Sequence, residues 1–220
     1  LWDGAGKEKI LGYLRGRGLS DDSIKSFRLG YAPDGWRHGL DFFTSKGFSV
    51  GEMEQVGLVL KREGGSGHYD RFRDRIMFPI FDIFGHVIGY SARVAPGGDE
   101  TQAKYINTPE TAIYHKSRAL YGLFHAKQAM KQAGMTVIVE GNMDVIAMHQ
   151  AGIGHTVAVS GTALTAEQLT LMKRYGNEVR LFFDMDGAGQ KAARKSAELA
   201  LEKELQVSVV ALPFGKDAAD

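Results

Sequence analysis

The 220-residue chain contains no cysteine, only five prolines and two tryptophans, and no long apolar run. Without cysteine there can be neither a disulfide framework nor a thiolate-bound zinc, and a reducing, cytoplasmic setting is compatible. No segment approaches the ~18 consecutive apolar residues that a membrane-spanning helix requires, and Leu1 opens no signal-peptide pattern. Strong net charge is also missing: Lys and Arg number 27 against 26 Asp and Glu. The near balance conceals local bias. Between Thr101 and Lys131, Lys104, Lys116, Arg118, Lys127 and Lys131 face one acid, Glu110. Such a stretch suits a polyphosphate or nucleic-acid partner, or else is a solvated lysine-rich face.

What the chain does have is most concentrated from Thr136 to Gly189. TVIVEG at Thr136–Gly141 and EVRLFFDMDGAG at Glu178–Gly189 contain short, mostly apolar runs, Val137–Val139 and Val179–Phe183, each followed by carboxylates. Runs of this kind predict parallel strands covered on both faces. Glu140, Asp184 and Asp186 then fall at the carboxyl ends of strands, where open α/β sheets hold their ligands. Three converging carboxylates repel unless cations lie between them, so the pattern points to a hard divalent ion such as Mg²⁺.

The preceding residues read differently. Helices are expected at Lys7–Arg17, at Asp21–Phe27 with Ser20 as its cap, at Gly39–Lys46 and at Val50–Val56, with a turn through Tyr31–Trp36. These elements suggest packing rather than chemistry. Strands follow at Leu58–Lys61, Ile76–Phe81 and His86–Ala92, the first leading into a glycine-rich hairpin tip at Glu63–His68. In YDRFRDR, Arg71, Arg73 and Arg75 alternate, which would place them on one face of an extended segment. That arrangement suits a row of phosphates, unless the arginines pair with Asp70 and Asp74. A helix is expected over Ala119–Gln132. Beyond it, strands Thr136–Glu140, His155–Val159, Glu178–Phe183 and Val207–Leu212 alternate with helices Met143–Ala151, Ala166–Tyr175 (capped by Thr165) and Ala188–Leu205. The resulting fold class is α/β: an α+β N-terminal subdomain over 1–131, then a parallel βα sheet over 132–220.

Several motifs carry a resemblance. The Glu-Gly, Gly-Thr-Ala-Leu-Thr and Asp-x-Asp steps, in this order, resemble a Toprim domain. YDRFRDRIMFPI (Tyr69–Ile80), KYINTPET (Lys104–Thr111), HKSRALYGL (His115–Leu123), EGNMDVIAMHQAGI (Glu140–Ile153) and GTALT (Gly161–Thr165) resemble the bacterial replicative DNA primase family. The chain departs from the family pattern at Asn142, where tyrosine is usual, and at Met185, where glycine is. At Gly215-Lys216-Asp217-Ala218-Ala219 the second acid of a Gly-Lys-Asp-Pro-Asp run is missing. The first two departures leave the ligating carboxylates in place.

The resemblance implies a DNA-dependent RNA polymerase that makes short primers on single-stranded DNA from ribonucleoside triphosphates, with an RNA primer as product. It implies two Mg²⁺ or Mn²⁺ ions held by Asp184 and Asp186, with Glu140 as ligand or acid/base group. Asp217 is a weaker metal candidate, and Asp144, Gly141, Gly161 and Thr162 are supporting residues. Arg71, Arg93, Lys104 and Lys116 match positions that the family uses for template or nucleotide; Arg73, Asn107 and Arg118 join them. The chain is expected to be a monomeric catalytic core cut from a longer protein, truncated at the end of its Toprim domain. Zinc, the replicative helicase and single-strand-binding protein would then engage regions outside it, and no membrane is involved. Two other readings are another Toprim enzyme (topoisomerase or nuclease) and a haloacid-dehalogenase-type phosphatase with Asp184 as nucleophile. Only 34 residues follow Asp186, too few for the latter domain.

Overall fold

A computed structural model describes residues 1–4, 6–99, 101–159, 163–184 and 187–210. Its contacts divide the chain into two compact units: Leu1–Pro79 with Val87–His115, and Ile80–His86 with Lys116–Asp220.

The first unit opens with α1 (Lys7–Gly16) and α2 (Asp21–Ser26). Ser20 caps α2 as expected, its hydroxyl accepting the Ser23 N–H at 3.2 Å. The turn expected at Tyr31–Trp36 begins instead as strand β1 (Gly30–Ala32), because these residues pair antiparallel with Arg75–Met77. Helices α3 (His38–Ser45) and α4 (Val50–Gln55) follow, with Ser49 and Glu52 forming a capping box on α4. Strands β2 (Val59–Lys61) and β3 (His68–Asp70) make the expected hairpin. β4 (Arg75–Phe81), β5 (Val87–Val94) and β6 (Tyr105–Asn107) join β1 in a sheet of order β1-β4-β5-β6. Ile76 and Phe78 are fully buried beneath it.

In the second unit, α5 (Leu123–Ala133) starts four residues later than the sequence pattern predicts. Tyr121 is held in extended pairing, exchanging hydrogen bonds with Ala158 at 2.9 and 3.0 Å. Gly122 then turns the chain through φ +84°, and a Cβ there would lie 2.6 Å from Val145 Cγ1. Backbone pairing and that left-handed turn override the helical periodicity of Ala119–Tyr121.

Four strands alternating with three helices follow: β7 (Met135–Val139), α6 (Asn142–Gln150), β8 (Thr156–Ala158), α7 (Ala166–Met172), β9 (Glu178–Leu181), α8 (Gly187–Glu202) and β10 (Gln206–Val209). The sheet has order β10-β9-β7-β8 and all its ladders are parallel, as expected. Ile138, Val157, Val179 and Leu181 are wholly buried in one cluster with Met130, Leu169 and Ala200. β7 is buried from Thr136 to Val139, as a strand covered on both faces requires, whereas β9 buries Val179 and Leu181 but exposes Arg180.

Candidate functional site

Strands β7 and β9 are parallel neighbours, with Ile138 opposite Leu181, so their carboxyl ends share one edge of the sheet. The ladder continues one step further, Phe182 N–H donating to Ile138 O at 2.9 Å. Beyond it the chain leaves β7 at Glu140 and β9 at Asp184. The two meet: the Asp184 backbone N–H donates to Glu140 Oε1 at 3.1 Å. Gly141 precedes α6, and its N–H donates to Asp144 Oδ2 at 2.9 Å. Asp144 thus holds the backbone at the α6 entry. Asn142, one of the departures from the family pattern, is 2% exposed in the first turn of α6.

Asp186, Asp217, Gly161 and Thr162 lie outside the described residues, as does Met185. Among the described residues no group of three or more His, Cys, Asp or Glu side chains is arranged to hold a metal. The donor chemistry nevertheless fits a hard divalent ion, since the Glu140 carboxylate meets the Asp184 backbone and two acidic residues thus share one strand-end edge. Space is kept there by Gly189 of α8, where a Cβ would lie 2.2 Å from Asp184 O and 2.9 Å from Glu140 Oε1. A cavity of about 340 Å³ adjoins this edge, lined among others by Glu140, Val159, Leu164, Phe183, Lys195 and Ser196.

The basic residues fall into separate settings. The three alternating arginines do not share a face. Strand β3 ends at Asp70, and Asp74 adopts a left-handed φ of +45°, which breaks the two-residue alternation. Arg71 donates to the Asn107 carbonyl at 2.9 and 3.3 Å, and burial draws its pKa down. Arg73 lies over the rings of Trp36 and Tyr69, 4.3 and 5.3 Å from their centroids. Arg75 is 3% exposed and donates to Ala103 O at 3.0 Å, Gln102 Oε1 at 3.1 Å and Ala92 O at 3.3 Å. It anchors loops and does not line a phosphate track.

Asp70 and Asp74 are also engaged otherwise than as arginine partners. Asp70 accepts the Gly39 and Leu40 N–H groups at 2.7 and 2.8 Å, holding the start of α3. Asp74 accepts the Tyr31 hydroxyl at 2.6 Å; burial, then this carboxylate, raises the Tyr31 pKa to about 12.

Arg93 stacks on Tyr13 at 4.8 Å and stands opposite Tyr105 in the β5–β6 register. Lys104, just before β6, is exposed. In the second unit Lys116 is half-buried and Arg118 exposed. Their segment is tied down by Gln168, whose Nε2 donates to Ala119 O at 2.6 Å and Lys116 O at 3.3 Å. Lys127, counted above in the basic stretch, is instead structural: its ammonium donates to Ile83 O at 2.5 Å and lies over Phe124.

One feature of the first unit has no counterpart in the sequence-based expectations. Trp36, placed there among packing elements, is 57% exposed and meets Tyr69 edge-on at 5.4 Å. With Arg62 and Glu63 the two rings line an open groove of about 450 Å³. Tryptophan beside arginine on an open surface is what base stacking uses. A Pro33-Asp34-Gly35-Trp36 turn carries little sign of this, because the partner ring arrives from a hairpin thirty residues on.

Comparison with known proteins matches residues 3–127 to the family described as DNA primase catalytic core, N-terminal domain, and residues 137–220 to one described as Toprim-like. The DNA primase of Deinococcus radiodurans is 46% identical over 211 residues, covering 96% of this chain and 36% of that protein. The RNA polymerase domain of Mycobacterium tuberculosis primase DnaG superposes with a TM-score of 0.90 at 34% identity, over 99% of this chain and 72% of that one. A DnaG primase catalytic domain solved bound to ssDNA gives 0.86 at 38% identity, over 99% and 68%. The chain spans about a third of the length of the curated relatives it matches. On this evidence it belongs to the family of bacterial DNA primase catalytic cores.

Proposed function

We propose that this chain is the catalytic core of a DNA-dependent RNA polymerase that makes RNA primers on single-stranded DNA. The observation that carries the reading is the hydrogen-bonded meeting of Glu140 and Asp184 at one edge of a parallel sheet, in a chain that matches primase cores. In the reaction, a ribonucleotide 3′-hydroxyl attacks the α-phosphate of an incoming ribonucleoside triphosphate. The bond to the β-phosphate breaks and pyrophosphate leaves.

Glu140 and Asp184, with Asp186, would hold Mg²⁺ or Mn²⁺. When bound, such ions activate the hydroxyl and neutralise charge on the leaving pyrophosphate. Arg71, Arg73, Arg93, Lys104, Lys116 and Arg118 supply cations for template and nucleotide phosphates, and Asn107 supplies a hydrogen-bonding side chain. Trp36 offers an exposed ring for an unpaired base. The family match over residues 3–127 favours this reading over a topoisomerase, a nuclease or an aspartate-nucleophile phosphatase.

The test is ribonucleotide incorporation on single-stranded DNA with Mg²⁺ or Mn²⁺, comparing the chain with Asp184→Ala. Short RNA products that fall at least 100-fold in the variant support the reading. Hydrolysis of small phosphate esters in place of RNA synthesis would overturn it.

A further inference from the structure

Glu140 presents two carboxylate oxygens in different circumstances. Oε1 accepts the backbone N–H of Asp184 and is the atom nearest a Cβ placed on Gly189, after the Asp184 carbonyl group itself. Oε2 receives no hydrogen bond or ion pair from any described residue, although Glu140 lies beside an open cavity. A carboxylate can divide its work in this way because each oxygen carries its own lone pairs.

We propose that Glu140 is split in function: Oε1 fixes the backbone that bears Asp184, and only Oε2 is delivered to the metal or to a transferred proton. This rests on the reading of Glu140 and Asp184 as the metal-holding pair. Glu140 then serves through one oxygen rather than as a two-oxygen clamp. Gly189 is a positioning residue in the same device. A methyl group at 2.2 Å from Asp184 O would collide with backbone, which cannot swing aside. The same methyl at 2.9 Å from Oε1 would push away the oxygen that restrains the Asp184 amide. Hence α8 can pack on both strand ends only while residue 189 lacks a side chain.

Glutamine separates the two roles. An amide oxygen can still accept the Asp184 N–H, and an NH₂ group turned toward that donor would be repelled, so the side chain orients itself. The other position then carries an NH₂ that neither ligates a cation nor takes a proton. Three variants, Glu140→Gln, Glu140→Ala and Gly189→Ala, are read by hydrogen exchange of the Asp184 amide and by Mn²⁺ titration of the chain, with priming as a third readout. Glu140→Gln is expected to keep Asp184 amide protection within about threefold of the parent, while Mn²⁺ affinity (if Oε2 ligates) or priming alone (if it takes a proton) falls at least tenfold. Glu140→Ala and Gly189→Ala are expected to lose protection by tenfold or more.

The division is overturned if Glu140→Gln loses protection as Glu140→Ala does, or if it keeps both Mn²⁺ affinity and priming at the parent's level. Protection retained in Gly189→Ala would overturn the positioning role. If the parent itself fails to bind Mn²⁺, the metal reading and the role given to Oε2 fall together, while the exchange data still decide whether Oε1 holds the Asp184 amide.

Discussion

Arg73 and Arg75 stand two residues apart in one basic motif, and the structure gives them opposite prospects. Arg75 is buried and makes three hydrogen bonds that tie β4 to Ala92 and to the loop at Gln102 and Ala103. Replacing it with methionine keeps much of the apolar stem and removes the donors. One of the three bonds is long, at 3.3 Å. Hydrogen bonds to a charged group contribute roughly 1.5–3 kcal/mol each, less where the partner regains water. About 2–4 kcal/mol is therefore the expected loss. At roughly 2–4 °C per kcal/mol for a chain of this size, Arg75→Met should melt on the order of 10 °C lower. Arg73→Ala forfeits cation–π contacts, about 0.5–1 kcal/mol, and a part-buried hydrogen bond to the Asp70 carbonyl, roughly another 1 kcal/mol, and should melt within about 8 °C of the parent. Template binding separates them further. Fluorescence anisotropy of labelled single-stranded DNA, followed between about 50 and 300 mM salt, reports phosphates neutralised, each contributing about 0.7 to the log–log slope. Arg73→Ala should lower that slope by about 0.7, and Arg75→Met should leave it unchanged at temperatures where it is folded. An Arg75→Met variant that melts with the parent but loses salt dependence would refute the assignment.

Other outcomes follow from single contacts. Trp36→Ala should weaken single-stranded DNA binding by about 1–3 kcal/mol, the usual worth of one stacked base, while Trp36→Phe retains most of it; equal affinity for both variants and the parent in the anisotropy assay would exclude a stacking role. Gln168→Leu removes the amide that holds Lys116 O and Ala119 O. It should cost about 1–3 kcal/mol in denaturant unfolding and weaken template binding without changing the Mn²⁺ affinity. His149 is half-buried, with Nε2 2.9 Å from Thr156 O, and desolvation lowers its pKa, which neighbouring His125 and His155 depress further. The folded state therefore disfavours the protonated ring. Its stabilising share is complete above the ordinary histidine pKa near 6.5 and is lost as pH falls toward the depressed value. Melting temperature should fall between pH 7.5 and 5, and His149→Gln should flatten that decline; an unchanged profile in the variant would rule this origin out.

The sequence determined the βα half of this protein by itself. Val137–Val139 is apolar because its strand is buried on both faces, and Val179–Phe183 is apolar except at the exposed Arg180, so that demand is visible residue by residue. Thr165 and Gln168, Ser49 and Glu52, and Ser20 signal helix starts through side chains that satisfy amides three residues away, so those signals are local as well. Glu140 and Asp184 could be named from strand-end position alone. What only the tertiary structure decided depends on partners distant in sequence. Gly30–Ala32 is a strand because β4, some forty-five residues later, offers it a ladder. Leu123 begins α5 because Ala158 holds Tyr121. The alternation of Arg71, Arg73 and Arg75 promised one face, but a left-handed Asp74 and three different sets of partners separated them. Trp36 gained its partners only when the β2–β3 hairpin and the residues just after it delivered Tyr69 and Arg73 to it. Periodicity and capping are written within a few residues of where they act, whereas these contacts arise only when the folded backbone brings separate segments together.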